Sequence, residues 1–167
     1  LYTLASIQGS LQSLRVVNTT THFTHFTVAH AHLGLYGFFS LVMFGAMYFV
    51  MPRVLDWEWP SARLISLHFW LVIGGFAIYF TGLSIGGWLQ GVAMLDGSRP
   101  FMESVRVTIP YLVSRSVGGA LMTLGHLVFA WHFALMLGRR GHRQGAALLR
   151  RPRPTPRGVP AVAGARA

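Results

Sequence analysis

The sequence predicts an all-α fold, a polytopic bundle of membrane-spanning helices, and three observations carry that prediction. Hydrophobic residues make up 53% of the chain and charged residues only 11%, with a positive mean hydropathy, a balance foreign to water-soluble domains. Three apolar stretches, 26–51, 64–94 and 105–138, exceed the roughly 20 residues that cross a bilayer as helix. The connections between them are short, and tryptophans stand beside their ends as in an interfacial aromatic belt.

Taken in order, residues 1–17 are apolar but broken by Gln8, Gly9, Gln12 and Arg15. They are too short to span alone and read as the end of a preceding transmembrane helix. Residues 18–25 are threonine-rich and polar, an expected outer loop. The first full span, 26–51, contains His30 and His32. A connection with Asp56, Trp57, Glu58 and Trp59 leads to the second span, 64–94. Another with Asp96, Gly97 and Pro100 leads to the third, 105–138. The last two are long enough to tilt or to project beyond the bilayer. Residues 139–167 hold eight of the fourteen arginines together with Pro152, Pro154, Pro156 and Pro160, a composition expected to stay disordered because it cannot bury a core.

The chain opens at Leu1 with no initiator methionine and no basic region of a signal peptide, and is expected to be a piece of a longer polypeptide. All fourteen basic residues are arginine, and the net charge of +10 belongs mostly to the tail. Arg139, Arg140 and Arg143 place the C-terminus in the cytoplasm by the positive-inside rule. Counting back, His22, His25, His30 and His32 lie near the outer face. The tail lacks the interleaved aromatics of a nucleic-acid-binding segment, so membrane lipid rather than nucleic acid is its expected partner. The chain has no cysteine. That excludes disulfides, thiolate metal sites, iron-sulfur clusters and covalent c-type haem attachment within it, and leaves histidine as the strong ligand.

Histidines inside a membrane span are functional candidates by default. His68, His126 and His132 each read as a core histidine satisfied by a hydrogen bond, and His126, the most central, is also a candidate for a proton path. His30 and His32 differ. Residues two apart on a helix point about 200° apart, so the pair cannot easily grip one ion and instead offers one imidazole to each of two groups. Axial ligation of two haems meets that requirement. The recurring glycines of the spans serve close helix packing, whereas Gly34 and Gly37, beside the histidines, also suit the approach of a flat macrocycle.

The run Val17-Asn18-Thr19-Thr20-Thr21-His22-Phe23-Thr24-His25-Phe26-Thr27-Val28-Ala29-His30-Ala31-His32-Leu33-Gly34, continuing through Met43-Phe44-Gly45-Ala46-Met47-Tyr48-Phe49 to Pro52, resembles the tenth transmembrane helix of haem-copper oxidase subunit I. Gly86-Gly87-Trp88-Leu89-Gln90-Gly91 resembles part of the eleventh helix and Arg115-Ser116-Val117-Gly118-Gly119-Ala120 part of the twelfth. The resemblance extends over residues 2–138, is strongest to the cbb3-type cytochrome c oxidases, and next strongest to the nitric oxide reductases. It implies a C-terminal fragment, helices nine to twelve, of a twelve-helix subunit in a bacterial inner membrane.

It further implies that His30 is the proximal ligand of a high-spin haem, b-type in this subfamily, where oxygen is reduced opposite copper. His32 is then a ligand of the low-spin haem b. His22 falls near haem propionates, or is an ordinary helix-entry histidine. Arg115 pairs with a propionate, or snorkels to the headgroups. The copper ligands and the second ligand of the low-spin haem belong to earlier helices. An acidic residue that the family often carries in the ninth helix is replaced, the aligned residues reading Ile7-Gln8-Gly9-Ser10. The implied activity is reduction of oxygen to water with electrons from cytochrome c, coupled to proton transfer. Its partners are other oxidase subunits, c-type cytochrome subunits among them, and the fragment alone is expected to be inactive. A nitric oxide reductase, with non-haem iron in place of copper, is the alternative, and a non-catalytic haem-holding membrane module is a third reading.

Overall fold

The computed structural model describes residues 1–149, with side chains through Gly138. The described residues form helices and no strand. Helices α1 (Tyr2–Ser13) and α2 (Arg15–Thr21) are separated by an extended Leu14. His25–Leu55 is a continuous helical rod in three parts: α3 (His25–His32), a π-helical stretch (Leu33–Ser40) and α4 (Leu41–Leu55). Helix α5 covers Ala62–Leu95, α6 Phe101–Arg106 and α7 Ile109–Leu149. Among the described residues, three segments are long and apolar enough to cross a membrane: His25–Leu55, Ala62–Leu95 and Phe101–Gly138.

The expected outer loop at 18–25 is shorter in the structure, because α2 carries helix through Thr21. Threonines disfavour helix when their hydroxyls compete for the backbone. Here Thr19 and Thr21 return theirs to the carbonyls of Arg15 and Val17, at 2.8 and 3.0 Å, so the helix continues. It ends at Thr21, where His22 turns extended, and Phe23 follows with a φ of 59°, in the left-handed region that a bulky residue enters only at a cost. Thr24 then caps α3, its hydroxyl accepting from the Phe26 N–H at 3.2 Å and donating to the Thr21 carbonyl at 2.7 Å. At the other end, the segment expected to be a disordered tail from 139 is helical to Leu149. The remainder of that expectation, 150–167, lies outside the described residues.

Helix α5 is the axis of the packing, and its glycines explain why. A Cβ at Gly75 would stand 2.7 Å from the Gly118 carbonyl, and one at Gly118 would stand 2.5 Å from that of Gly75. Helices α5 and α7 therefore touch backbone to backbone, which small residues permit. On a neighbouring face Gly87 and Gly91 meet the backbone of Phe26 and Thr20, bringing α2 and α3 against α5. Between these contacts Ala29, Leu33, Val72, Phe76 and Leu83 are buried, while Trp70, Leu127 and Trp131 stay exposed. Large exposed apolar side chains on a helix surface are what an acyl-chain environment calls for.

Pro52, inside α4, has no N–H to give the carbonyl of Tyr48 one turn earlier. The indole N–H of Trp59 donates to that carbonyl instead, at 2.9 Å. The connection between α4 and α5 is thereby folded back under the first span.

Candidate functional site

The histidine pair sits where three elements meet. His30, half-buried, turns toward α1. Its Nδ1–H donates to Gln8 Oε1 at 3.3 Å, and the edge of its ring lies so close to Gly9 that a Cβ there would stand 3.1 Å from Cε1. His32 turns the other way, toward α5, with its ring centroid 5.1 Å from that of Tyr79. Its Nδ1–H donates to the Val28 carbonyl at 2.8 Å. Each ring thus engages an acceptor through Nδ1, which leaves Nε2 as the nitrogen open to a further partner.

This arrangement follows from local sequence. The Thr24 cap and the hydrogen bond from the His25 N–H to Gln90 Oε1, 3.0 Å long, fix where α3 begins and how it is rotated against α5. Ala29, fully buried between the two histidines' faces, keeps α3 close to its neighbours. Immediately after His32 the helix widens into the π-helical stretch. Such stretches often accompany functional sites because they re-aim the side chains around them. Gly34 has open space where a side chain would be, whereas Gly37 is pressed against the Phe76 ring, with a would-be Cβ 2.6 Å from it. Gly37 is therefore a packing glycine. Gly34 leaves the helix surface beside the histidines bare.

His22 and Arg115 are not brought together. His22 is exposed, its ring 3.9 Å from that of Phe23. Arg115 is half-buried, and the side chain it acts on electrostatically is His25. Sequence reasoning gives His25 no role, and treats Gln8 only as a departure from an expected acid. In the structure these two tie the histidine helix to its surroundings. The one available signal for Gln8 is the glycine after it, since Gly9 lets His30 approach α1.

Comparison with known proteins agrees with this architecture. The family model for cytochrome c and quinol oxidase polypeptide I matches residues 1–121. The Cbb3-type cytochrome c oxidase subunit CcoN1 of Stutzerimonas stutzeri is 33% identical over 138 residues, covering 78% of this chain and 29% of that protein. A bacteroid cytochrome c oxidase subunit 1 homolog from Bradyrhizobium diazoefficiens is 31% identical over 144 residues, covering 78% of this chain and 25% of the relative. A nitric oxide reductase polypeptide of Stutzerimonas stutzeri is 26% identical over 137 residues, covering 77% of this chain and 29% of the relative. The chain spans between 25% and 29% of the length of these three relatives. With most of its length matched and its apolar helices able to cross a bilayer, the chain belongs to the cytochrome c and quinol oxidase polypeptide I family and is a multi-pass membrane protein.

Proposed function

We propose that this chain is the C-terminal part of a terminal cytochrome c oxidase subunit I of the cbb3 type, which reduces oxygen to water at a haem-copper centre with proton transfer. His30 would ligate the high-spin haem and His32 the low-spin haem b. The observation that supports this most directly is the pair of ring orientations. Two imidazoles leave opposite sides of one helix, each with Nδ1 engaged by an acceptor, so that Nε2 is the nitrogen that would be offered to a haem iron. That is the donor chemistry an axial haem ligand requires, since an acceptor at the second nitrogen fixes tautomer and orientation.

When bound, haem iron supplies one-electron redox change and, where an axial position is open, a place for a diatomic substrate. The rest is the work of the chain's own residues. Gln8 holds the His30 ring against α1, and Val28 and Tyr79 fix that of His32. Arg115 offers a cation to propionates at the outer end of the bundle, with His22 on the same side. The copper ligands and the second low-spin ligand are assigned to helices beyond this segment. The proposed setting is a bacterial inner membrane with the C-terminus cytoplasmic, in a complex with c-type cytochrome subunits that deliver electrons. The segment alone should be inactive.

The test is an optical spectrum of the full-length protein and of two variants. His30→Ala should retain the low-spin signal and lose carbon monoxide binding, and His32→Ala should lose the low-spin signal. A wild-type spectrum that is wholly low-spin and inert to carbon monoxide would leave a haem-holding module without catalysis. The similarity to a nitric oxide reductase makes nitric oxide the second substrate to try. Consumption of nitric oxide but not oxygen, with non-haem iron replacing copper on analysis, would select that reading.

A further inference from the structure

A cavity of about 460 Å³ lies between α4 and α5, and no described residue of α7 lines it. Its α4 wall is Leu41, Phe44, Gly45 and Tyr48, a spacing that places all four on one helix face. Rings join this wall to the rest of the bundle. Tyr48 Oη lies 2.9 Å from His68 Nδ1, and Phe44 packs against His68 of α5 and His126 of α7, with centroids 4.8 and 5.3 Å away. Gly45 is the odd position. Gly37, Gly75 and Gly118 are pressed against neighbours, which accounts for them, whereas a Cβ at Gly45 would meet nothing within 4 Å. Packing inside this chain gives no reason for a glycine there, and the bare surface it leaves lines the cavity.

The cavity has the depth of one leaflet. Its α5 lining begins at Ala62, the first residue of the helix, and ends at Val72, a helix rise of about 15 Å, half of a hydrocarbon core of roughly 30 Å. A membrane-spanning helix would cover both leaflets, whereas a space that opens at the interface and closes in mid-bilayer suits an acyl chain. Ser66 stands on the same wall, one turn into α5, and its hydroxyl has no hydrogen-bond partner among the described residues. It can donate to an ester carbonyl.

At Tyr48 the apolar cavity meets a polar cleft of about 430 Å³, lined by Arg53, Asp56, Glu58 and Trp59. A connection between two spans lies at headgroup depth, where tryptophan is enriched. Trp59 is fixed there by its bond to the Tyr48 carbonyl and by the His132 ring, centroids 4.9 Å apart. The Arg53 guanidinium lies over the Phe49 ring and donates to the Phe49 carbonyl, with further N–H groups left for an anion. The Asp56 and Glu58 carboxylates have no hydrogen bond or ion pair among the described residues. One guanidinium and two carboxylates beside an indole complement a headgroup carrying both a phosphate and an amine, and they disfavour a purely anionic one.

We propose that α4, α5 and the connection between them hold one phospholipid with a zwitterionic, amine-bearing headgroup. Its phosphate sits at Arg53 and its ammonium at Asp56 and Glu58. One acyl chain runs past Tyr48 along the bare face of Gly45 toward Val72, and an ester carbonyl accepts from Ser66. So placed, the lipid fills the corner between the first and second spans and backs Phe44 and Tyr48 against His68. The site makes no use of His30 or His32 and stands apart from their reading as haem ligands.

The test uses the full-length protein in its complex, purified in detergent, and a phosphatidylethanolamine carrying a photoreactive diazirine on one chain. Illumination should label residues 41–48 and 65–72 more strongly than Leu127 and Trp131, which are exposed on α7 and report ordinary lipid contact. Unlabelled dioleoyl phosphatidylethanolamine should displace that label at a concentration about tenfold lower than dioleoyl phosphatidylglycerol, the scale of one or two partly shielded charge pairs. Gly45→Leu puts a side chain into the open space and should cut labelling at 65–72 about tenfold, the scale of overfilling a packed site, with Leu127 and Trp131 labelled as before. Asp56→Asn combined with Glu58→Gln keeps the cavity and should abolish the preference between the two lipids. Labelling at 41–48 and 65–72 no stronger than at Leu127 and Trp131, as when another helix of the subunit covers the groove, overturns the site. Equal displacement by the two lipids overturns it as well, and so does a preference that survives the loss of both carboxylates.

Discussion

Replacing Gly87 by alanine should detach the histidine helix from α5, and the size of the effect follows from the backbone contact there. A Cβ at Gly87 would stand 1.9 Å from the Phe26 nitrogen, about 1.5 Å inside the 3.4 Å at which contact becomes ordinary. The opposing atoms are backbone, so no rotamer change relieves the clash and one helix must move by about that distance. Overpacking of this kind costs about 1–3 kcal/mol. The His25-to-Gln90 hydrogen bond, 3.0 Å long and directly beside the contact, should be lost as well, at about 1 kcal/mol. Gly74→Ala is the control. It lies in the same helix with open space at the Cβ position, so it should only gain helix propensity, about 1 kcal/mol. Thermal unfolding of the full-length protein in detergent should rank Gly74→Ala at or above wild type, with Gly87→Ala about 3 kcal/mol lower than that control. The low-spin haem spectrum should be shifted or lost only in Gly87→Ala. Equal stability of the two variants would refute the close approach of α3 to α5.

Gln8→Glu should place a charged acceptor on the His30 Nδ1–H. A charged acceptor strengthens such a bond by about 1.2 kcal/mol and would lower the one-electron potential of the haem proposed on His30 by about 50 mV, read by spectroelectrochemical titration; an unchanged potential would remove Gln8 from that ligand's surroundings. Trp59→Phe keeps a ring against Tyr48 and His132 but deletes the donor to the Tyr48 carbonyl. The cost should be about 1–3 kcal/mol in thermal unfolding, with faster amide exchange through residues 48–59. Asp96 accepts from Ser98 and then Arg99, and these hydrogen bonds hold its carboxyl below its usual pKa. A depressed folded pKa stabilises the turn above the unfolded value and withdraws that support as pH falls through the folded one. Proteolysis at 96–99 should therefore accelerate only in acid, and Asp96→Asn should be equally susceptible at neutral pH.

The all-helical, membrane-spanning class was legible because bilayer crossing imposes a crude requirement, long uncharged apolar stretches, that composition alone displays. The opposite directions of the two histidines were legible too, because helical period fixes relative direction without reference to tertiary contacts. What they face was not. Gln8 and His30 are 22 residues apart, and Tyr36 and His126 are 90 apart, and no local pattern announces such pairs. Taken one at a time, His68, His126 and His132 each have an acceptable private explanation, and only the packing of α4, α5 and α7 reveals their shared surroundings. The threonines at 19–21 mislead for a different reason, since a hydroxyl that returns to its own helix and one that terminates it are the same residue in sequence.

The π-helical stretch at Leu33–Ser40 has a consequence for how the first span is compared with others. Its wide turns hold more residues than α turns, so a residue's worth of chain is absorbed within the rod and the phase changes between its ends. A helical wheel of constant period drawn from His25 to Leu55 would put Phe44 and Tyr48 on the wrong side relative to His30 and His32. The rod behaves as two separately phased rulers joined by an adjustable coupling. Gain or loss of one residue between 33 and 40 could be accommodated there, re-phasing the C-terminal half of the rod while the histidines keep their place. Alignments with relatives should allow a gap at that point of an otherwise unbroken helix.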